Sequence, residues 1–325
     1  MPRFDLPESE LRTYRPEVRE PADFDAFWER TLTEARAVGD AAVLTPVATP
    51  LRHIEVHDLV FPGFGGDPIR AWYLRPAGVA GRLPTVVEFL GYGGGRGLPH
   101  ERLAWAASGR AHIVMDTRGQ GATWGGGGDT ADPHGTGPSV PGLMTRGIED
   151  AEDYYYRRLI TDAVRCVDAA LGLDGVDPDR VAITGISQGG GLTVAVSGLH
   201  PRLVAAMPDV PFLCHFERAV GMTDTDPYAE IVRYLAVHRG TGDAERVFDT
   251  LSYVDGVNFA RRSSVPALYS TAILDDTCPP STVFAAFNHL ATADRRIDVY
   301  GFNRHEGGEV YRFPEQAAFL AALGC

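Results

Sequence analysis

Val181-Ala-Ile-Thr-Gly-Ile-Ser-Gln-Gly-Gly-Gly191 joins an apolar, β-branched run to a Gly-x-Ser-x-Gly pattern and then to a stretch able to open a helix. An uninterrupted apolar run of this kind reads as a parallel strand covered on both faces. A serine on so tight a strand-to-helix turn is pushed out of the chain with its hydroxyl exposed, and flanking glycines spare the turn a Cβ clash. The five-residue pattern alone is weak in a chain with 37 glycines, and a glycine-rich turn that merely contains a serine is the plain alternative. Its context adds weight. Val181–Thr184 supplies the strand, Asp177-Pro-Asp-Arg180 a turn into it, and Leu192–Leu199 a helix that Pro201 stops. Ser187 is therefore the candidate nucleophile of an acyl-transfer enzyme.

The partners of such a serine follow it in the order acid, then histidine. The later histidines are His200, His215, His238, His289 and His305. His200 precedes Pro201 and reads as a surface residue. His215 and His238 fall in a helical stretch, and His289 lies inside the helix Ser281–Leu290. His305 alone follows a strand-like run, Ile297–Phe302, and sits among turn residues, where catalytic groups gather at the carboxyl edge of an α/β sheet. It is the candidate general base. The acid is expected off another strand, Ala267–Leu274. Asp275 is the first carboxylate there and is preferred to Asp276, with Asp209 a lesser candidate. Its task is to fix the imidazole tautomer and stabilise the imidazolium. The oxyanion hole needs two backbone N–H groups. One is expected from Gln188, the residue after the nucleophile, and the other from Tyr92 in Gly91-Tyr-Gly-Gly-Gly95, behind the strand Thr85–Leu90. A flexible loop is the alternative reading of those glycines. They do not form a phosphate loop, because no lysine follows; the chain has none at all, which also removes lysine Schiff-base chemistry and a Ser-x-x-Lys nucleophile.

The length, 325 residues, fits one large α/β domain or two small ones. A net charge of −13 argues against nucleic acid or an anionic membrane as partner. No run of 18 apolar residues exists to span a bilayer. The first residues lack the basic and apolar regions of a signal peptide, so a cytoplasmic location is expected. Cys166, Cys214, Cys278 and Cys325 include no Cys-x-x-Cys pair and read as reduced thiols. His53 and His57 share one face of a strand, which a solvated face explains more simply than zinc does. No cofactor and no metal are expected.

Farther out, the chain has a helix at Asp23–Ala37 and a hairpin of Leu51–Phe61 with Ile69–Leu74. Strand and helix then alternate: Thr85–Leu90, a helix around His100–Ala107, Ala111–Met115, helix Arg158–Leu171, Val181–Thr184, helix Leu192–Leu199 and Val204–Met207. This is the rhythm of a mostly parallel, doubly wound sheet. It breaks between Met207 and Pro266, where helices around Phe212–Ala219, Pro227–His238 and Asp243–Tyr253 make an insertion of about residues 208–264. The insertion reads as a cap that shapes the pocket or as bulk at an oligomer contact. Strand Ala267–Leu274, helix Ser281–Leu290, strand Ile297–Phe302 and helix Pro314–Leu323 complete one domain over residues 1–325, with residues 1–80 as an N-terminal extension. Residues 121–147 are glycine-rich and irregular, and loops that long are usually functional or interaction segments.

Arg118-Gly-Gln-Gly121, Gly185-Ile-Ser-Gln-Gly-Gly190 and His305-Glu306 resemble, in order and spacing, the acetyl xylan esterase / cephalosporin C deacetylase family, carbohydrate esterase family 7. Phe4-Asp-Leu-Pro7, Tyr14-Arg-Pro-Glu17, Asp23–Trp28 and Asp275–Asn288 extend the resemblance to nearly the whole chain. It implies an α/β-hydrolase fold with a small helical insertion between nucleophile and acid. It implies a serine carboxylesterase that removes acetyl groups from xylo-oligosaccharides or other small sugars and from cephalosporin C through an acetyl-serine intermediate. It also implies a homo-oligomer, a ring-like hexamer. Carried onto this chain it places Ser187, Asp275 and His305 in the triad and Tyr92 and Gln188 at the oxyanion, and gives Arg118 a structural role. Leu90 departs from the histidine that usually precedes Gly-Tyr in this family. A peptidase of the same fold, and a catalytically degenerate hydrolase-fold binding protein, are the alternative readings.

Overall fold

The apolar runs from residue 54 onward pair into one sheet. The computed structural model describes residues 4–39, 41–135 and 137–325. The strands are β1 (Val43–Pro46), β2 (Ile54–Pro62), β3 (Pro68–Pro76), β4 (Leu83–Phe89), β5 (Ala111–Met115), β6 (Val176–Ile186), β7 (Ala205–Asp209), β8 (Ala267–Ala272) and β9 (Arg295–Tyr300). Their order is β1-β2-β3-β5-β4-β6-β7-β8-β9. The first four pair antiparallel, and from β5 to β9 every pairing is parallel. This is the α/β-hydrolase fold.

Side chains alternate across the pleat, so each central strand feeds two cores. Val86, Ala182, Ala205 and Leu268 face one side, with Trp105 and Leu320. Val87, Ile183, Ala206 and Tyr269 belong to the larger cluster with Leu159, Ile160 and Val194. The helices Tyr155–Gly172 and Gln188–Leu199 are buried along almost their whole length on that second side. Both faces being covered explains why the central strands read as continuous apolar runs.

Several expected bounds shift. β6 runs through Asp177–Arg180, read above as a turn, because its start pairs with Leu83 of β4 across a register shift. The helix after Ser187 begins at Gln188 rather than Leu192: glycines weaken a helix, but here backbone-to-backbone packing demands them. The helix expected from Arg158 starts at Tyr155, and the one around His100–Ala107 is confined to Ala104–Ala107. The helix expected at Phe212–Ala219 is Phe216–Met222, because Val210, Leu213 and His215 have positive φ. Strand β1, exposed at every position, and the helices Glu8–Leu11 and Gly256–Ala260 are too short for a periodicity to announce them.

Strand order reverses around β4: its chain successor β5 lies to one side, and β6 lies to the other. The loops leaving β4 and β6 therefore diverge at their carboxyl ends and leave a crevice, the usual ligand position in open α/β sheets. Phe89 pairs with Gly185, so both loops start at the same level.

Candidate active site

β6 ends at Ile186, and Ser187 takes φ 58°, ψ −118°, a conformation costing roughly 1–3 kcal/mol. Three backbone bonds hold it there. Its N–H donates to the Asp209 carbonyl at 3.0 Å, and its own carbonyl accepts from Gly191 and Phe212 N–H, both at 2.9 Å. The two glycines of the pattern have distinct work. A Cβ on Gly185 would lie 2.4 Å from the Gly189 carbonyl carbon, and one on Gly189 would lie 2.1 Å from the Phe89 carbonyl oxygen. Strand, helix and the end of β4 thus meet backbone to backbone.

The three residues singled out above come together. His305 Nε2 stands 2.9 Å from Ser187 Oγ. His305 Nδ1 stands 3.0 Å from Asp275 Oδ2 and 3.2 Å from Oδ1. Asp275 is fully buried, and its Oδ1 also accepts the Thr277 and Cys278 N–H groups at 2.9 and 2.8 Å. These bonds fix the carboxylate and disperse its charge. The His305 loop is braced by Glu306, whose two oxygens accept from Asn303 Nδ2 (2.7 Å) and Arg304 N–H (3.0 Å).

Asp209 is not in this series. It accepts from Arg312 Nε and Gln316 Nε2 at 2.7 and 2.8 Å. The other histidines are elsewhere. His200 is not a surface residue but buried, 3.1 Å from Asp168, because the helix end packs inward. His289 is also buried, bonded to the Ala285 carbonyl. His53 lies in a bend before β2 and is exposed, while the His57 ring packs at 5.8 Å from Tyr73, so of the two only His57 is on the strand. All four cysteines are free thiols. Among the described residues, Asp275, Cys278 and His305 bring metal-ligating atoms within 4.8 Å of one another. That grouping is the acid–base pair with a neighbouring thiol, and the mutual bond of Asp275 and His305 accounts for it.

Tyr92 and Gln188 flank the serine from two sides. Gln188 is the first residue of the helix Gln188–Leu199, where N–H groups have no partner within the helix. Among the described residues, neither its N–H nor that of Tyr92 is taken up by another group. The Gly91–Gly95 turn is held from outside. Gly93 N–H donates to Gln120 Oε1 at 2.6 Å, and Gln120 Nε2 donates to Gln188 Oε1 and Tyr155 Oη, each at 2.9 Å. Gln120 thus joins the Gly91–Gly95 turn to the start of the helix after Ser187, a link across 68 residues of chain that the local sequence does not show. Trp124, from the long irregular loop, donates its Nε1–H to the Tyr92 carbonyl at 2.7 Å. Its ring takes the space that a Cβ on Gly94 would occupy.

The pocket in front of Ser187 holds about 380 Å³, walled by Tyr92, Trp124, Ile186, Thr277 and His305 and by Asp226 and Pro227 of the insertion. The arrangement can deprotonate a hydroxyl, hold a developing oxyanion and admit a small ester. The family model for acetyl xylan esterase (AXE1) matches residues 1–323.

The chain belongs to the acetyl xylan esterase family.

It is 38% identical to an acetyl xylan esterase from Paenibacillus sp. R4, with a TM-score of 0.92 over 98% of this chain and 99% of that one. Against acetyl xylan esterase 1 from Thermoanaerobacterium sp. JW/SL YS485 the identity is 33% and the TM-score 0.90, again over 98% and 99%. Acetyl esterase Axe7A of Xylanibacter ruminicola is 27% identical over 90% of this chain, which spans 65% of the length of that curated relative. Leu90, the departure from the pattern expected of an acetyl xylan esterase, packs its side chain with Ile54, Val56, Leu74 and Val114. Its carbonyl still accepts from Gln188 Nε2 at 3.2 Å. Arg118 is fully buried, bonded to Asp162, Asp67 and Asp132. No helix among the described residues is long and apolar enough to cross a membrane.

Proposed function

We propose that this protein is a serine esterase that removes acetyl groups from small acetylated sugars such as xylo-oligosaccharides, and from cephalosporin C, through an acetyl-serine intermediate. The observation that carries the reading is the series Asp275–His305–Ser187, bonded at 3.0 and 2.9 Å on the wall of a small pocket. Family membership supports the acetyl ester as the bond broken. In the forward step His305 Nε2 takes the hydroxyl proton as Ser187 Oγ attacks the acetyl carbonyl. Asp275 stabilises the imidazolium. The Tyr92 and Gln188 N–H groups receive the oxyanion, each contributing roughly 3 kcal/mol to lowering the barrier. The imidazolium proton leaves with the sugar alcohol, and water, deprotonated by His305, releases acetate. A pocket of about 380 Å³, at the small end of ligand sites, admits the acetyl ester of a small sugar.

The test is hydrolysis of p-nitrophenyl acetate, acetylated xylo-oligosaccharides and cephalosporin C by the wild-type and Ser187→Ala proteins, with butyryl esters for comparison. Ser187→Ala is expected to lower kcat by roughly 10³-fold or more. A variant that turns over at the wild-type rate ends the proposal. The family resemblance further implies a homohexamer, which light scattering on the purified chain reads directly.

A further inference from the structure

Among the described residues, Glu230 is a buried carboxylate with no ion-pair partner. It lies in the insertion helix Tyr228–Val237 and is 3% exposed. Arg233, one turn on, is bonded instead to Asp226 at 2.7 Å. What Glu230 touches comes from two other parts of the chain. Its Oε1 accepts the Tyr92 hydroxyl proton at 2.7 Å, and its Oε2 accepts the Met144 N–H at 3.0 Å. The Tyr92 oxygen in turn accepts the Leu143 N–H at 2.5 Å. Residues 142–144 wrap so closely that a Cβ on Gly142, at φ +123°, would lie 2.1 Å from Glu230 Oε2.

Burying a carboxylate with no ion-pair partner costs several kcal/mol, so a merely space-filling glutamate here is a poor choice. Burial pushes its pKa above the usual carboxylate range, consistent with that cost. The hydrogen-bond chemistry explains the residue. Two donors, one hydroxyl and one amide, must be met by two acceptors. A carboxylate offers both, whereas a glutamine amide turns one acceptor into a donor and leaves either Tyr92 or Met144 opposed.

We propose that Glu230 is a positioning residue which, by gripping the Tyr92 hydroxyl from the insertion, keeps the Tyr92 N–H aimed at the oxyanion. This rests on the esterase reading above. Tyr92 is then held at three points. Its carbonyl is fixed by Trp124, the following N–H by Gln120 and its side-chain tip by Glu230. The third hold ties the insertion, which also contributes Asp226 and Pro227 to the pocket wall, to the group that stabilises the transition state.

An interaction made only as charge develops lowers kcat when lost and leaves KM nearly unchanged. The experiment measures kcat, KM and melting temperature with p-nitrophenyl acetate for the full chain and for Glu230→Gln, Glu230→Ala, Tyr92→Phe and the Tyr92→Phe/Glu230→Gln double variant. Misaiming one oxyanion donor is expected to cost roughly ten- to hundredfold in kcat, short of its complete removal. KM should stay within about twofold for each folded variant. The double variant should be no slower than the slower single one, because Glu230 acts through the hydroxyl that Tyr92→Phe deletes. Wild-type kcat in Glu230→Gln overturns the proposal. So do losses that multiply in the double variant, or a change confined to KM. Should Glu230→Ala not fold, the near-isosteric Glu230→Gln and Tyr92→Phe still decide. A wild-type protein inactive on every acetyl ester sinks the esterase reading and this role with it. An active one indifferent to Glu230→Gln sinks this role alone.

Discussion

Gly189 sits where three backbones converge, and no substitution there can be absorbed by a side chain moving aside. Its added methyl would stand 2.1 Å from the Phe89 carbonyl oxygen and 3.0 Å from the Leu90 nitrogen. Overpacking of this kind typically costs about 1–3 kcal/mol, and the element forced to move is the end of β4 that leads into the Tyr92 turn, proposed above to receive the oxyanion. Gly189→Ala is therefore expected to lose more in catalysis than in stability. Its melting temperature should fall by several degrees and its kcat by at least about tenfold. A variant with wild-type kcat would show that the strand end yields without disturbing Tyr92. Residues of this kind were legible because their constraint is local: a strand, a turn and a helix start within eleven positions. Asp275 and His305 were legible for the same reason, each following its own strand. Gln120 and Glu230 were not. Their partners Gln188 and Tyr92 lie 68 and 138 residues away; the Arg118–Gly121 segment draws attention to Gln120, but no local pattern shows what either side chain reaches.

Among the elements, the insertion departs furthest from its sequence pattern, and backbone strain explains why. Val210, Leu213 and His215 all have positive φ, which apolar and β-branched residues seldom adopt, so periodicity could not place the start of the helix Phe216–Met222. Asp255 compensates by capping two helices at once. Its oxygens accept the His215 and Phe216 N–H groups at 2.9 and 3.0 Å and the Val257 N–H at 2.9 Å. His215 itself is partly buried with its Nδ1 unpartnered among the described residues. Burial first, then the positive charge of Arg218 and His289, lowers its pKa to about 4 from an ordinary value near 6.5. The folded state thus binds this proton less readily than the unfolded one. The stability that neutral His215 confers is present above pH of about 6.5 and is lost as pH falls toward about 4. His215→Asn, which tolerates the left-handed backbone, is expected to flatten that dependence. The melting-temperature difference between wild type and variant should drift in the variant's favour between about pH 6.5 and pH 4. A difference that stays constant across the window contradicts the assignment.

At the scale of the molecule, the parallel half of the sheet was readable from the alternation of strands and helices. The position of β5 between β3 and β4 was not, since strand order is decided by crossover packing rather than by any local run. Besides strand pairing and the shared apolar core, a buried charge cluster ties the antiparallel side to the rest. Arg118 donates to Asp162 of the helix Tyr155–Gly172 (2.7 Å from Nη2), to Asp67 in the β2–β3 turn (3.0 Å) and to Asp132 of the long loop (3.2 Å). Arg158 also donates to Asp132, at 3.0 Å. Breaking a buried pair by removing one partner typically costs about 3–5 kcal/mol, because the remaining charge is stranded. Arg118→Met strands Asp162, which is fully buried and whose pKa burial already pushes above the ordinary carboxylate value. Without the guanidinium that pKa must climb further, so the folded variant holds a proton that its unfolded chain releases near pH of about 4. The loss of stability in Arg118→Met should therefore be modest near pH of about 4 and deepen as pH rises toward neutrality. Urea unfolding of wild type and variant at several pH values measures this directly. Adding Asp162→Asn to Arg118→Met should remove most of the deepening, since no carboxyl is left at that position to ionise, while Asp132 keeps Arg158 as its partner. A penalty in the single variant that is independent of pH would mean that Arg118 holds these three segments by shape and not by charge.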